Sequence, residues 1–156
     1  MKNISTYLVA AVLGLTVLGC KKTAETPAPT KTELLTNKNW VATAITISPA
    51  LPLGGTLITD YYAQLPSCTK DDFIRFETPS IYKEDEGAVK CNPAKPQTVI
   101  GTWTFNGDQS VVTTSTPTGG TQSYNIVELS DSSLKYSVAV VSNGITYTLT
   151  ISNKKG

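Results

Sequence analysis

The sequence predicts an all-β protein: an eight-stranded antiparallel up-and-down barrel with one short helix between its first two strands. Apolar and polar residues alternate along short segments that are rich in β-branched and aromatic side chains. Short turns separate these segments, so consecutive strands are expected to pair as hairpins. Closing such a meander into a barrel removes its exposed edge strands.

The predicted strands start at residues 39–48, a β-branched segment without a helix or strand breaker. A Pro/Gly-rich loop over residues 49–55 follows. In residues 56–65, apolar residues recur at helical spacing, which predicts the short helix; they are Ile58, then Tyr61 or Tyr62, and Leu65. Seven more strands are predicted, over residues 72–78, 80–84, 98–106, 109–115, 122–129, 133–141 and 145–152.

The last predicted strand alternates most clearly. Ile145, Tyr147, Leu149 and Ile151 take one face, and threonines and a serine take the other. Such alternation is typical of an antiparallel strand with one face buried and one in water. An eight-stranded barrel is just wide enough to be filled by side chains or to hold one small ligand. Which of the two applies here is the central functional question.

The N-terminus predicts export. Lys2 precedes an apolar run over residues 7–18, which stops at Gly19 before Cys20. The run has about a dozen residues, short of the roughly 20 that a membrane-spanning helix needs. The segment resembles a bacterial lipoprotein signal. That resemblance implies that residues 1–19 are removed and that Cys20 becomes the lipidated first residue, carrying acyl chains such as palmitate.

Residues 20–32 are polar and contain two prolines, which predicts a flexible tether to a folded domain at residues 33–156. Lys21 and Lys22 follow the cysteine where acidic residues can influence lipoprotein sorting. We therefore expect an outer-membrane lipoprotein whose domain faces the periplasm, with the cell surface as the alternative.

The composition excludes several classes of function. The chain has no histidine, which removes the commonest general base and the commonest metal ligand. Histidine-dependent serine or cysteine hydrolases and ordinary zinc hydrolases are thereby excluded. The formal net charge is only +1, without a basic stripe, so nucleic acid is not an expected partner. The sequence predicts no catalytic residue, no cofactor and no metal.

Two acidic clusters leave sharper alternatives open, a calcium site or a paired-carboxylate glycosidase. Neither cluster has the alternating ligand spacing of a calcium loop, and lysines lie close by in the chain. We therefore interpret these acidic residues as solvated. The clusters are Asp71-Asp72 and Glu84-Asp85-Glu86.

Cys68 and Cys91 remain once Cys20 is assigned to lipidation. An even pair in an exported chain predicts a structural disulfide. A catalytic dithiol is the alternative, although it would favour close spacing such as C-x-x-C.

Four segments of the chain, with a few further residues, carry a specific pattern. They are residues 34–40, 61–73, 101–105 and 124–129, with Phe76, Tyr82, Asp85-Glu86-Gly87 and Cys91. This pattern resembles lipocalin-like domains of exported lipoproteins from Gram-negative bacteria, over roughly residues 33–153. The two-cysteine middle of the chain is the most specific part of the resemblance, and it supports the pairing of Cys68 with Cys91. The resemblance implies a small lipocalin-like β-barrel. Lys38 stands where the Gly-x-Trp motif of classical lipocalins has glycine, so a close match to those ligand carriers is not supported.

Six aromatic residues are candidates for an apolar ligand pocket, with the barrel core as the alternative role. If the interior is open, a carrier of a small hydrophobic ligand is expected. If it is filled, a protein-interaction or enzyme-inhibitor module of the cell envelope is expected, with loops 49–55 and 78–95 as contact surfaces. The candidates are Trp40, Phe76, Trp103, Phe105, Tyr136 and Tyr147.

Overall fold

A computed structural model describes residues 27–156, so the predicted signal and Cys20 lie outside the described range. A short helix and nine strands follow one another, and all the strands belong to one antiparallel sheet. The elements are α1 (Lys31–Leu35), β1 (Asn39–Leu53), β2 (Thr56–Asp60), β3 (Phe73–Glu77), β4 (Ile81–Asp85), β5 (Thr98–Phe105), β6 (Val111–Thr116), β7 (Gly120–Leu129), β8 (Ser133–Ser142) and β9 (Ile145–Lys155).

The sheet closes because β1 pairs on both of its edges. On one edge it pairs with β9, from Trp40 opposite Lys155 to Ser48 opposite Thr148. On the other edge, residues 39–41 pair with β3. The strands β1 and β3–β9 therefore form a closed eight-stranded barrel, as the sequence predicts.

The structure corrects the prediction of a helix over residues 56–65. Thr56–Asp60 is the strand β2, which pairs with the far end of β1, and only Tyr62–Gln64 is helical, as a 3-10 turn. Gly54 and Gly55 supply the cause, since their φ values of 58° and 82° form a two-residue hairpin turn between Leu53 and Thr56. The helical spacing of apolar residues in this segment was accidental.

The first strand is also longer than predicted, because it continues through Pro49 and Pro52. Ser48 is the last β1 residue that pairs with β9, so both prolines lie where that edge of β1 is unpaired within the described sheet. Proline is tolerated there because it removes no hydrogen bond of the sheet.

Helix α1 covers one end of the barrel, which we call the closed end. Thr30 caps the helix in a capping box with Glu33, a Thr-x-x-Glu signal that is readable in the sequence. The helix begins at Lys31, so the last two residues of the predicted tether are helical. Leu35 is fully buried, and its carbonyl accepts a hydrogen bond of 2.9 Å from the indole Nε1 of Trp40.

A cluster of buried side chains fills the barrel interior towards the closed end. The Phe76 ring lies 5.2 Å from the Tyr82 ring and 5.7 Å from the Trp103 ring, centroid to centroid. The Trp103 ring in turn meets Phe105 edge to face at 5.4 Å. The buried members of the cluster are Leu35, Trp40, Phe76, Tyr82, Trp103, Val112 and Leu134.

Within residues 27–156, no helix has both the length and the apolarity needed to cross a membrane.

This core predicts a matched pair of leucine substitutions. Leu134 is 0% exposed in the cluster, whereas Leu57 is 72% exposed on β2. Leu134→Ala should lower the free energy of unfolding by about 3 kcal/mol, because it removes buried methyl groups and leaves a cavity. Leu57→Ala should change it by less than about 0.5 kcal/mol. Urea unfolding of both variants measures the difference, and equal effects would contradict the placement of the core.

Candidate functional site

A cavity of about 320 Å³ opens inside the barrel at the end opposite α1, which we call the mouth. It lies where β1 and β3 part. Their pairing ends at Val41 opposite Phe73, and beyond that point the edge of β1 pairs with β2 instead. The two strands therefore diverge in the barrel wall beyond this point. The cavity is lined by Trp40, Ala42, Ile45, Asp72, Phe73, Ile74, Glu84, Asp85, Glu86, Pro96, Gln97, Val99, Tyr136, Ile151 and Asn153.

An irregularity in β1 shapes one wall of this cavity. Ala42 pairs with Asn153 and Ala44 with Ser152, so Thr43 is an extra residue in the ladder between β1 and β9. Such a bulge shifts the alternation of side chains by one position. Ala42 and Ile45 consequently both line the cavity, although they are three residues apart.

The mouth is held by cross-links between the segment before β3 and the loop from β4 to β5. Cys68 and Cys91 form a disulfide with 5.2 Å between their Cα atoms, which confirms the predicted bridge. Close by, Asp71 Oδ2 accepts hydrogen bonds from the amides of Ala88 and Val89 at 2.7 and 3.0 Å. Gly87 has φ +62°, and a Cβ there would collide with the backbone carbonyl of Asp71. The two segments are thus packed in direct contact.

Asp85 has a structural role at the mouth. Its carboxylate accepts hydrogen bonds from the Thr98 hydroxyl, the Gln97 side-chain amide and the Gly87 backbone amide. Burial alone would raise the pKa of Asp85, but these three donors together hold it below its ordinary value. Asp85 therefore fastens β4 to the start of β5.

Glu84 faces the barrel interior. It pairs with Ile74 and Val99, which line the same cavity. Burial, and then the nearby charge of Glu84, raise the pKa of both Tyr82 and Tyr124. A carboxylate therefore stands inside the barrel beside phenol groups.

Asp72 lies at the mouth, directly after the point where β1 and β3 part. Its Oδ1 atom is buried and has no hydrogen-bond partner within residues 27–156. Burial, followed by the negative charges of Glu86, Asp71 and Asp85, raises the pKa of Asp72 to about 6. The site therefore contains a carboxylate that is not compensated by its surroundings.

The structure divides the six aromatic candidates between different places. Trp40 and Tyr136 line the cavity. Phe76, Trp103 and Phe105 pack together in or against the filled core, although Trp103 and Phe105 also border a second, more open depression that includes Thr32 of α1. Tyr147 is buried on β9 outside both the core cluster and the cavity lining. The interior is thus both filled and open, in different halves.

Sequence reasoning missed the acidic lining. The sequence predicts solvated side chains for Asp72, Glu84 and Glu86, yet all three border the cavity. A signal was available, because Tyr82, Glu84 and Glu86 alternate along one strand and its end, and therefore share a face. Among residues 27–156 there is no group of three or more side chains arranged to hold a metal ion.

Comparison with known proteins identifies the family of this chain. A family model described as a lipocalin-like domain matches residues 36–136, and the chain belongs to that family. Among solved structures, it is similar to a bovine odorant binding protein in complex with a selenium-containing odorant, with a TM-score of 0.44 and 16% sequence identity. That alignment covers 85% of this chain and 76% of the bovine chain. No curated protein sequence matches the chain.

The environment of Asp72 predicts an unusual pH dependence of stability. The pKa of Asp72 is raised from 3.8 to about 6. The protonated side chain therefore contributes stability to the folded state that is fully present below pH 3.8 and is lost as the pH rises through about 6. Asp72→Asn cannot ionise and avoids this loss. Relative to the wild type, the variant should gain about 1 kcal/mol of unfolding free energy between pH 4 and pH 7.5, after allowance for partial exposure.

Asp108→Asn is the control with the opposite sign. Hydrogen bonds from the side chain and amide of Ser110 hold the pKa of Asp108 below its ordinary value. The ionised side chain therefore contributes to the stability of the fold at neutral pH, and this contribution is lost on acidification. The loss of unfolding free energy in the variant should consequently be largest at pH 7.5. Chemical denaturation at several pH values measures both. A difference between Asp72→Asn and the wild type that does not vary with pH would contradict the burial of this carboxylate.

Proposed function

We propose that the protein is a lipid-anchored binding protein that holds a small hydrophobic ligand in its barrel and catalyses no reaction. The cavity carries this proposal. At about 320 Å³ it falls at the small end of the range for ligand pockets, so it suits a compact molecule. Its walls combine aliphatic and aromatic side chains, which offer apolar contact, with amide and acidic side chains, which can orient a bound molecule.

Burial of apolar surface is the proposed driving force. A ligand that buries roughly 200 Å² of apolar area in the cavity gains roughly 5 kcal/mol before the costs of association. The disulfide and the hydrogen bonds of Asp71 fix the mouth before a ligand arrives. A site formed in advance loses less free energy to ordering when it binds.

The proposed anchor is Cys20, which lies outside the described residues. Its support is the apolar run that ends at Gly19, together with the polar segment that follows. Two or more acyl chains give stable membrane attachment, each buried methylene contributing about 0.8 kcal/mol. We propose that the barrel is held at the outer membrane and faces the periplasm.

Exposed apolar side chains favour a second candidate function, a protein contact at the rim. Leu53 and Leu57 on the first hairpin and Val141 and Ile145 on the last are exposed, at 48%, 72%, 71% and 47% respectively. Both hairpin turns lie at the mouth end of the barrel. Exposed apolar residues at one end of a barrel are candidates for an interaction site. A partner protein of the cell envelope is the proposed occupant.

A cavity-filling substitution tests the carrier. Ala42→Phe should occupy the cavity, whereas Ala139→Phe places the same group on the exposed face of β8. Native mass spectrometry of the proteins, purified from their own cells in a mild detergent, should show a bound small molecule with the wild type and Ala139→Phe but not with Ala42→Phe. An empty wild type, or a molecule retained by Ala42→Phe, would contradict the carrier. A stoichiometric protein would support the rim contact instead.

Lipidation is tested separately by metabolic labelling with an alkyne analogue of palmitate. The wild type and Cys91→Ser should incorporate the label, and Cys20→Ser should lose it completely, because only Cys20 follows the signal-like segment. Label retained by Cys20→Ser, or absent from the wild type, would show that the N-terminus is not processed as proposed.

A further inference from the structure

We infer that the ligand of the barrel is a cationic amphiphile, a compact apolar chain or ring that carries a protonated amine. This inference rests on the proposed function, because it specifies the chemistry of a molecule held in the same cavity. It depends on the sign of the charges that line the cavity.

The charged side chains that line the cavity are all acidic. Asp72, Glu84, Asp85 and Glu86 border the cavity, whereas among residues 27–156 no lysine or arginine does so. In this described part of the chain, none of the four carboxylates is part of an ion pair. The interior therefore presents an excess of negative charge to any molecule that enters.

The neighbouring cations are engaged elsewhere. Lys90 donates hydrogen bonds to the carbonyls of Pro93 and Lys95 within its own loop. Lys70 lies over the ring of Tyr62, 5.1 Å from its centroid. Neither lysine is therefore paired with a carboxylate of the cavity lining.

The basic residues of β3 and β4 are paired on the outside of the barrel. Arg75 and Lys83 both contact the carboxylate of Glu77, at 2.8 and 2.9 Å. Glu84 follows Lys83 directly and points to the opposite face, since successive side chains alternate across a strand. The charged side chains on the outer face of β3 and β4 thus pair with one another, whereas Glu84 on the inner face has no basic partner in the described residues.

The four carboxylates differ in their availability. Asp85 is saturated by three donors and serves the mouth itself. Asp72 retains a buried oxygen without a partner in the described structure, and Glu84 lies deeper, between Ile74 and Val99. An ammonium group that reaches either one forms a charge-assisted hydrogen bond in a partly dry site, which is stronger than one in water.

The remaining walls suit the apolar part of such a ligand. Ile45, Val99 and Ile151 provide aliphatic surface, and Trp40 and Tyr136 provide aromatic surface. Aromatic faces also attract a cation that lies within about 6 Å of the ring. A fatty-acid carboxylate meets like charges in this cavity, so an anionic ligand is disfavoured.

Three probes of equal length test this inference: octylamine, octanol and octanoate. The full-length protein in a nonionic detergent is titrated with each at pH 7.5 by isothermal calorimetry, with detergent-only titrations subtracted. Octylamine should bind about tenfold more tightly than octanol, the ratio expected for one charge-assisted hydrogen bond, and octanoate should bind most weakly. Glu84→Gln should bring the affinity for octylamine down to that for octanol.

Glu128→Gln is the matched control, because Glu128 is exposed on the outer wall and should leave the preference for the amine unchanged. If Glu84→Gln does not fold, Asp72→Asn makes the same test at the mouth. Binding of octanol with equal or weaker binding of octylamine would overturn the inference and leave the carrier intact. Absence of binding by every probe would overturn the proposed carrier and the inference with it.

Discussion

The hydrogen bond from the indole Nε1 of Trp40 to the carbonyl of Leu35 determines how the barrel interior is divided. It attaches α1 across the closed end and fixes the Trp40 ring between two regions. On one side the ring belongs to the packed core, and on the other it lines the cavity. Because both partners are almost fully buried, replacing either group would leave the other without compensation by water. The packing of the filled half thereby holds the Trp40 ring in place as part of the cavity lining.

Much of the fold could be predicted from the sequence because apolar and polar residues alternate clearly along β8 and β9. The apolar residues of the two strands share one face, and the structure pairs Tyr136 with Ile151 and Val140 with Tyr147. The hairpin between β1 and β2 could not be recognised from periodicity, since Ile58, Tyr61 and Leu65 imitate a helical face over a segment too short to distinguish the two. Gly54-Gly55 was the better signal, because two adjacent glycines with positive φ specify a two-residue hairpin turn.

The candidate site was less predictable, since a cavity arises from where strands part rather than from any residue type. The bulge at Thr43 and the short pairing of β1 with β3 create it, and neither leaves a compositional trace. The cysteine pair did predict the bridge at the mouth. The charge of the interior was readable in principle, because Glu84 shares a face with the buried Tyr82. Acidic residues are usually solvated, however, and that expectation concealed the acidic lining of the cavity.

We propose that ligands enter only the open half of the barrel, and the two tryptophans report on the two halves. Trp40 lines the cavity, whereas the indole of Trp103 donates to the carbonyl of Glu77 in the filled half. The chain has two tryptophans, so a ¹⁵N-edited NMR spectrum of the labelled protein should show two indole N–H signals. During a titration with octylamine, the Trp40 signal should shift until it saturates, and the Trp103 signal should not move. A shift of the Trp103 signal with a stationary Trp40 signal would contradict ligand entry through the open half.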